Sequence, residues 1–326
     1  MNTTKKVLIG AIVALVLVVG VGAAVVMANQ PKAETTTTAK QETTTTTTTS
    51  SMPDSFWVLI AGNDTRTGTV EITKDEYKDG NARTDTIMLV HVDQTTKKIA
   101  LVSVPRDTAT TINGNTVKIN ESYRIGGMTM VVDEVQKLTG VKADYYMNVN
   151  FVQYQTLIDG LGGHDANVPI NMSLQDIVGG STISLSSGEQ SLNGAQSLVL
   201  ARSRKQYADD LDACRQIQNR QIIQRVITKL ANTPALIDTV VDLAIANSDT
   251  NFKADELKQV AKLFAKDASA MTFTSGTGPY KGGIVASAGN LWLATRDEET
   301  WKKTIEVALA GGDMNTVYAD PTVSAK

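Results

Sequence analysis

A chain of 326 residues that is 42% hydrophobic is long enough for a large buried core, and its net charge of −3 argues against a generally basic, nucleic-acid-binding surface. A single cysteine, Cys214, excludes an internal disulfide and any CxxC motif, while two histidines leave almost nothing for Ser-His-Asp or zinc-histidine chemistry. There is no GxSxG turn and no GxxxxGKS/T phosphate loop, so the chemistry must come from arginine and aspartate.

Residues 7–28 are an uncharged run of Val, Leu, Ile, Ala, Gly and Met. As a helix this run would span about 33 Å, enough to cross a bilayer core. Lys5 and Lys6 precede it, so the positive-inside bias puts residues 1–6 in the cytoplasm and everything after Ala28 outside. A cleaved signal peptide ending at Val26-Met27-Ala28 is the competing reading. The run exceeds the usual h-region of about 7–15 residues, which favours a retained single-pass anchor in the cell membrane. Residues 34–51 are nearly all threonine with nothing large enough to pack, which predicts a disordered tether over 29–53. The exported domain then occupies 54–312, with 313–326 a flexible tail. Its lone cysteine suits a bacterial surface protein, and Cys214 reads as a buried helix thiol.

Residues 56–61 (FWVLIA) form a short apolar run ending at Gly62-Asn63-Asp64, read as a central strand and a turn. Residues 65–81 are a polar surface loop. Residues 86–92 and 99–104 are two apolar strands around a turn at 93–98. Arg83 and Asp85 stand before the first, and Arg106 and Asp107 after the second. Antiparallel pairing therefore brings two arginines and two aspartates to one edge of the sheet. Like charges crowded in this way are costly unless an anion and a metal ion sit among them. Residues 108–123 read as irregular. Apolar spacing then predicts helices over 127–139 and 151–161, with strands at 144–149 and 166–170. A short apolar helix at 195–201 leads into Arg202-Ser203-Arg204, and a long helix follows over 210–230. Helices at 234–246, 254–266 and 297–310 and strands at 271–274 and 291–294 complete an alternating α/β pattern with a mixed central sheet flanked by helices.

His91 sits in a buried strand and reads as a core residue, and His164 as a loop residue. Asp64 and Asp85, at neighbouring strand ends, suit one hard cation with oxygen ligands, Mg²⁺ or alternatively Mn²⁺. Capping of a turn and a strand start explains the same two residues equally well. Arg202 and Arg204, spaced by two in an extended segment, point the same way and suit the oxygens of a phosphate or pyrophosphate. On the long helix Arg215 shares a face with Asn219, and Gln216 shares the next with Arg220, against a solvated face as the plainer alternative.

The runs GNDTR (62–66), ARTDTIMLVHVD (82–93), SVPRD (103–107), KIN (118–120), GLGG (160–163), SGEQSLNGAQSLVLARSR (187–204) and RQIQNRQ (215–221) resemble, in order, the LytR-CpsA-Psr family of cell-envelope proteins. The likeness covers residues 56–230 and extends more loosely to 310. It implies an α-β-α sandwich behind one N-terminal transmembrane helix. It also implies an extracytoplasmic phosphotransferase that takes a glycopolymer, such as wall teichoic acid or capsular polysaccharide, from an undecaprenyl-pyrophosphate carrier. The polymer would be joined to peptidoglycan through a phosphodiester. By the same resemblance Asp64 and Asp85 hold Mg²⁺, and Arg83, Arg106, Arg202 and Arg204 grip the pyrophosphate, with Lys118 and Arg220 or Gln221 nearby. Catalytic roles fall to Arg106, Asp85 and Asp107, one aspartate drawing the acceptor proton, and the lipid chain lies in an apolar tunnel. RQIQNRQ departs from the family's R-x-x-R-Q form, which leaves Arg215 and Arg220 both open as the phosphate-facing arginine. A polyprenyl-pyrophosphate hydrolase and a non-catalytic polyprenyl-phosphate-binding envelope protein are the competing functions. Nucleic acid has no place among the partners.

Overall fold

Alternating apolar residues decide the fold from its first strand. The computed structural model describes residues 52–70, 80–209 and 211–326. Strands β1 (Ser55–Asn63), β2 (Thr84–Asp93) and β3 (Lys98–Ser103) form an antiparallel meander. A small hairpin, β4 (Ala109–Ile112) and β5 (Asn115–Lys118), leads into helix α1 (Glu121–Thr139) and strand β6 (Tyr145–Val149). After helix α2 (Phe151–Gly160) come four short strands, β7 (His164–Val168), β8 (Met172–Gln175), β9 (Thr182–Leu185) and β10 (Gly188–Leu192). Helices α3 (Gly194–Arg202), α4 (Leu211–Asn232) and α5 (Ile237–Ala246) follow, then β11 (Asp249–Thr250) and α6 (Ala254–Ala265). Strands β12 (Thr272–Thr277), β13 (Gly282–Val285) and β14 (Leu291–Ala294) precede the helix α7 (Glu298–Ala310).

The main sheet has the order β11-β6-β1-β2-β3-β12. It is mixed, because β6 and β12 run parallel to their neighbours β1 and β3 while the other pairs are antiparallel. Side chains alternate between its faces. Leu59, Ala61, Ile87, Leu89, Ala100 and Val102 pack on one side with Val131 and Val135 of α1 and Trp301 and Ile305 of α7. Phe56, Val58, Met88, Val90 and Leu101 face the other way, against Ile223 and Ile227 of α4 and Val260 and Phe264 of α6. Helices thus cover both faces, giving the three-layer arrangement expected of these elements. A second core, with Val168, Leu192, Leu200, Tyr207 and Ile222, ties α3 and α4 to the β7–β10 region.

The expected stub 1–6, membrane helix 7–28 and nearly all of the tether 29–53 lie outside the described residues, as do residues 71–79 of the polar loop. Among the described residues no helix is long and apolar enough to cross a membrane. The tether's far end is packed: Met52 is buried beside Phe56, and the Pro53 carbonyl accepts from Gln94 Nε2 at 2.7 Å. Residues 108–123 are ordered as the β4–β5 hairpin and the first turn of α1 rather than irregular. Nor is 313–326 a loose tail. Met314 is fully buried, Asp320 pairs with Arg220, and Ala208 N–H donates to the Ser324 carbonyl at 3.0 Å. Polar composition hid this packing, which depends on partners distant in sequence. His164 opens β7 and is buried, where a loop position was expected. His91 and Cys214 are buried as their surroundings imply.

Candidate functional site

Five strand ends meet at one edge of the main sheet: β1, β3, β6 and β12 finish there and β2 begins there. The β1–β2 register pairs Gly62 with Thr86 and Asn63 with Thr84, so a bulge skips Asp85 and turns the chain at that point. The Asp85 carboxylate accepts from Arg106 Nη1 at 2.5 Å, and its backbone carbonyl accepts from Arg215 Nη2 at 2.8 Å. Asp64 is held to the next turn by two reciprocal bonds. Its N–H donates to the Arg83 carbonyl at 3.0 Å, and its carboxylate accepts from Arg83 N–H at 2.7 Å. These bonds close the base of the 65–82 loop and fix Asp64 beside Asp85 whatever the loop's length.

A cleft of about 270 Å³ opens between this edge, the start of α2 and the facing ends of α3 and α4. Five guanidinium groups line it: Arg66, Arg106, Arg202, Arg204 and Arg215. Phe151, at the start of α2, separates two of them, with Arg66 4.9 Å and Arg202 5.0 Å from its ring centre. Asp212 lies 3.0 Å from Arg215 and 3.3 Å from both Arg106 and Arg204. Burial alone would raise the Asp212 carboxyl, but those three arginines outweigh it and hold it at about 2. Burial also works against the charge on Arg106, and Asp85, Asp212 and Asp107 overcome it and raise its pKa. Arg204 is pushed down by burial and by the neighbouring Arg106 charge. Five guanidinium groups line the cleft, and Asp85, Asp107 and Asp212 offset them only in part, which suits a multiply charged anion.

Of the residues expected to bind, Asp85, Arg106, Arg202 and Arg204 line the cleft. Arg202 is the last residue of α3 rather than part of an extended run, Ser203 after it is extended, and both arginines line the cleft. Arg83 and Lys118 are not among the lining residues and are tied to acids: Arg83 to Glu121, and Lys118 Nζ to Asp107 at 2.7 Å. Arg220 and Gln221 are displaced from the expected site. Arg220 is buried on the far side of α4, bonded to Ser103, Thr277 and Asp320, and Gln221 is exposed. Five residues of helix turn amount to about 140° around the axis, so Arg215 and Arg220 cannot face one cavity. Arg215 takes the inward face with Asn219, each 3.1 Å from the Thr86 hydroxyl.

Sequence reasoning passed over Arg66 and Asp212. Arg66 closes the GNDTR run, and Asp212 stands three and four residues before Arg215 and Gln216, a spacing that puts all three on adjoining faces of one helix.

Asp64 and Asp85 each commit one oxygen to a donor and keep the other. Burial raises the Asp64 carboxyl, the Arg83 N–H bond draws it down, and the Asp85 charge raises it again, with a net rise. Two hard oxygen donors under mutual repulsion would suit a divalent cation such as Mg²⁺. Among the described residues no cluster of three or more His, Cys, Asp or Glu gathers as a fuller cage.

Behind the cleft lies an apolar chamber of about 310 Å³, between the main sheet and α2, α4, α5 and α6. Ile60, Val149, Tyr154, Ile222 and Ile223 line both cavities, so the chamber adjoins the arginine cleft across these side chains.

The profile of the LytR_cpsA_psr family matches residues 22–304. The chain is 36% identical over 185 residues to the polyisoprenyl-teichoic acid–peptidoglycan teichoic acid transferase TagU of Bacillus subtilis (strain 168), covering 56% of this chain and 55% of that protein. It is 31% identical over 186 residues to TagV of the same organism, covering 55% of this chain and 47% of that one. The chain thus spans about half the length of the curated relatives it matches. The crystal structure of B. subtilis TagV superposes with a TM-score of 0.64 at 26% identity, covering 79% of this chain and 99% of that chain. With a family profile running from before the first strand of the sheet into its last helix, the chain belongs to the LytR_cpsA_psr family.

Proposed function

We propose that this protein is a membrane-anchored phosphotransferase of the cell envelope, moving a glycopolymer from a polyprenyl-pyrophosphate carrier to peptidoglycan. The names of the relatives, polyisoprenyl-teichoic acid–peptidoglycan teichoic acid transferases, support the reaction class and a teichoic-acid-like polymer. The observation that carries the reading is the shared wall between an arginine-lined cleft and an apolar chamber. Such a joined pair suits a ligand whose anionic head is bonded directly to a long apolar chain.

In the reaction a sugar hydroxyl of the wall attacks the phosphorus that bears the polymer. A new P–O bond forms, the bridging P–O bond breaks, and the lipid leaves as its monophosphate. Arg106, Arg202, Arg204 and Arg215 neutralise the charge that gathers on the departing phosphate, the main demand of phosphoryl transfer. The hydroxyl proton passes to a carboxylate, Asp85 or Asp107, the latter steadied by Lys118. A divalent cation held by Asp64 and Asp85 would add Lewis-acid neutralisation of the diphosphate oxygens. The bond that breaks supplies the energy, which suits a compartment without ATP.

The test uses the full chain in detergent, a polyprenyl-pyrophosphate-linked glycan and peptidoglycan fragments. Asp85→Ala should lower transfer at least about a hundredfold while the lipid stays bound. Transfer that survives both Asp85→Ala and EDTA would remove the cation from the reading, and failure of the wild type to retain the lipid would remove the site.

A further inference from the structure

Tyr154 of α2 stands where the charged cleft meets the apolar chamber. Its hydroxyl lies 2.6 Å from Ser197 Oγ on α3, and Ser197 Oγ lies 2.7 Å from Nε2 of His164 on β7. His164 Nδ1 faces the Asp165 carbonyl at 3.0 Å. A carbonyl only accepts, so Nδ1 carries the ring proton, Nε2 accepts from Ser197, and Ser197 in turn accepts from Tyr154. The chain therefore has one direction and satisfies each member, and Ser197 and His164 are both buried. None of the three has a part in the transfer reaction. What the chain accomplishes is to fix the phenol ring at the neck between the two cavities.

The other neck residues are Ile60, Val149, Ile222 and Ile223. All four are β-branched and stiff at χ1, so rotamer changes of these side chains add little room. A membrane also holds two-chain lipids with phosphate heads, and those heads offer the same charge to the same guanidinium groups. The arginines cannot tell them apart. The neck can.

We propose that Tyr154 is a specificity-determining collar, fixed by Ser197 and His164, that passes a single apolar chain into the chamber and excludes two-chain phospholipids. The inference rests on the reading of the site as a lipid-phosphate site. In the test, a polyprenyl monophosphate and a diacyl phosphatidic acid compete for the full-length protein in nonionic detergent. Wild type prefers the single-chain probe. Tyr154→Ala should reduce that preference by at least about tenfold, mainly through new binding of phosphatidic acid. Ser197→Ala keeps the ring and removes its anchor, and should give a smaller loss in the same direction. A Tyr154→Ala or Ser197→Ala protein that loses affinity for both probes equally, or keeps the wild-type ratio, would overturn the collar and leave the site standing. Wild type that binds neither probe would overturn the lipid-phosphate reading and the collar with it.

Discussion

Asp212 answers to three guanidinium groups at once, and that fixes how it responds to acid. Its carboxyl is held at about 2, below the ordinary value of 3.8 that applies when the chain unfolds. A depressed carboxylate contributes stability that is fully present above about pH 4 and is lost as pH falls towards 2. The shift corresponds to about 2 kcal/mol. Denaturant unfolding of wild type and Asp212→Asn at pH 7, 4 and 2 should show the two proteins converging by about that amount below pH 4. On the same helix Arg215 and Arg220 make opposite predictions. Arg215→Ala should weaken binding of inorganic pyrophosphate about tenfold or more by titration calorimetry, as loss of a charge-assisted contact. Arg220→Met should leave that affinity near wild type and act on stability instead, since its guanidinium bonds to Ser103, Thr277 and Asp320. The two arginines look alike in sequence because their separation says which faces differ and not which one points inward.

Among the elements, α3 and α1 were legible to different degrees. Asn193-Gly194 marks the start of α3, and the structure shows a full capping box. The Asn193 side chain accepts from Gln196 N–H and the Gln196 side chain accepts from Asn193 N–H. Because α3 delivers Arg202 at its other end, Asn193→Ala should cost about 1 kcal/mol by thermal unfolding and loosen the arginine pair. The helix read from Gly127 onward begins earlier, at Glu121, and breaks at Gly126 and Gly127. Gly127 has φ 63° and ψ −161°, a region open to glycine and strained for other residues. Gly127→Ala should therefore destabilise by about 1–3 kcal/mol despite the higher helix propensity of alanine. Apolar spacing located the stretch after the break, while the five residues before it carry too few apolar positions to show a period. The small strands β8, β9, β10 and β13 escaped for a similar reason, being short with half or more of their residues polar or glycine.

Across the whole molecule, the segment beyond α7 closes over the back of the site. Asp320 pairs with the buried Arg220 at 2.5 Å and accepts from Thr277 Oγ1 at 2.8 Å, at the ends of β3 and β12. Asp320→Ala leaves that arginine buried without its counter-charge and should cost about 3–5 kcal/mol in denaturant unfolding, with Asp320→Asn recovering part of the loss. The sequence by itself determined the three-strand meander, most of the helices that cover it and the gathering of Asp85 and Arg106, because alternation, helical period and hairpin pairing act between near neighbours. Only the tertiary structure decided that Arg215 rather than Arg220 enters the cleft, that Arg66 and Asp212 join it, that His164 is buried and that residues 314–326 are packed. Those outcomes depend on the rotation of α4 against the sheet and on contacts between different elements, from His164 with Ser197 to Arg215 with Thr86, which no local pattern records.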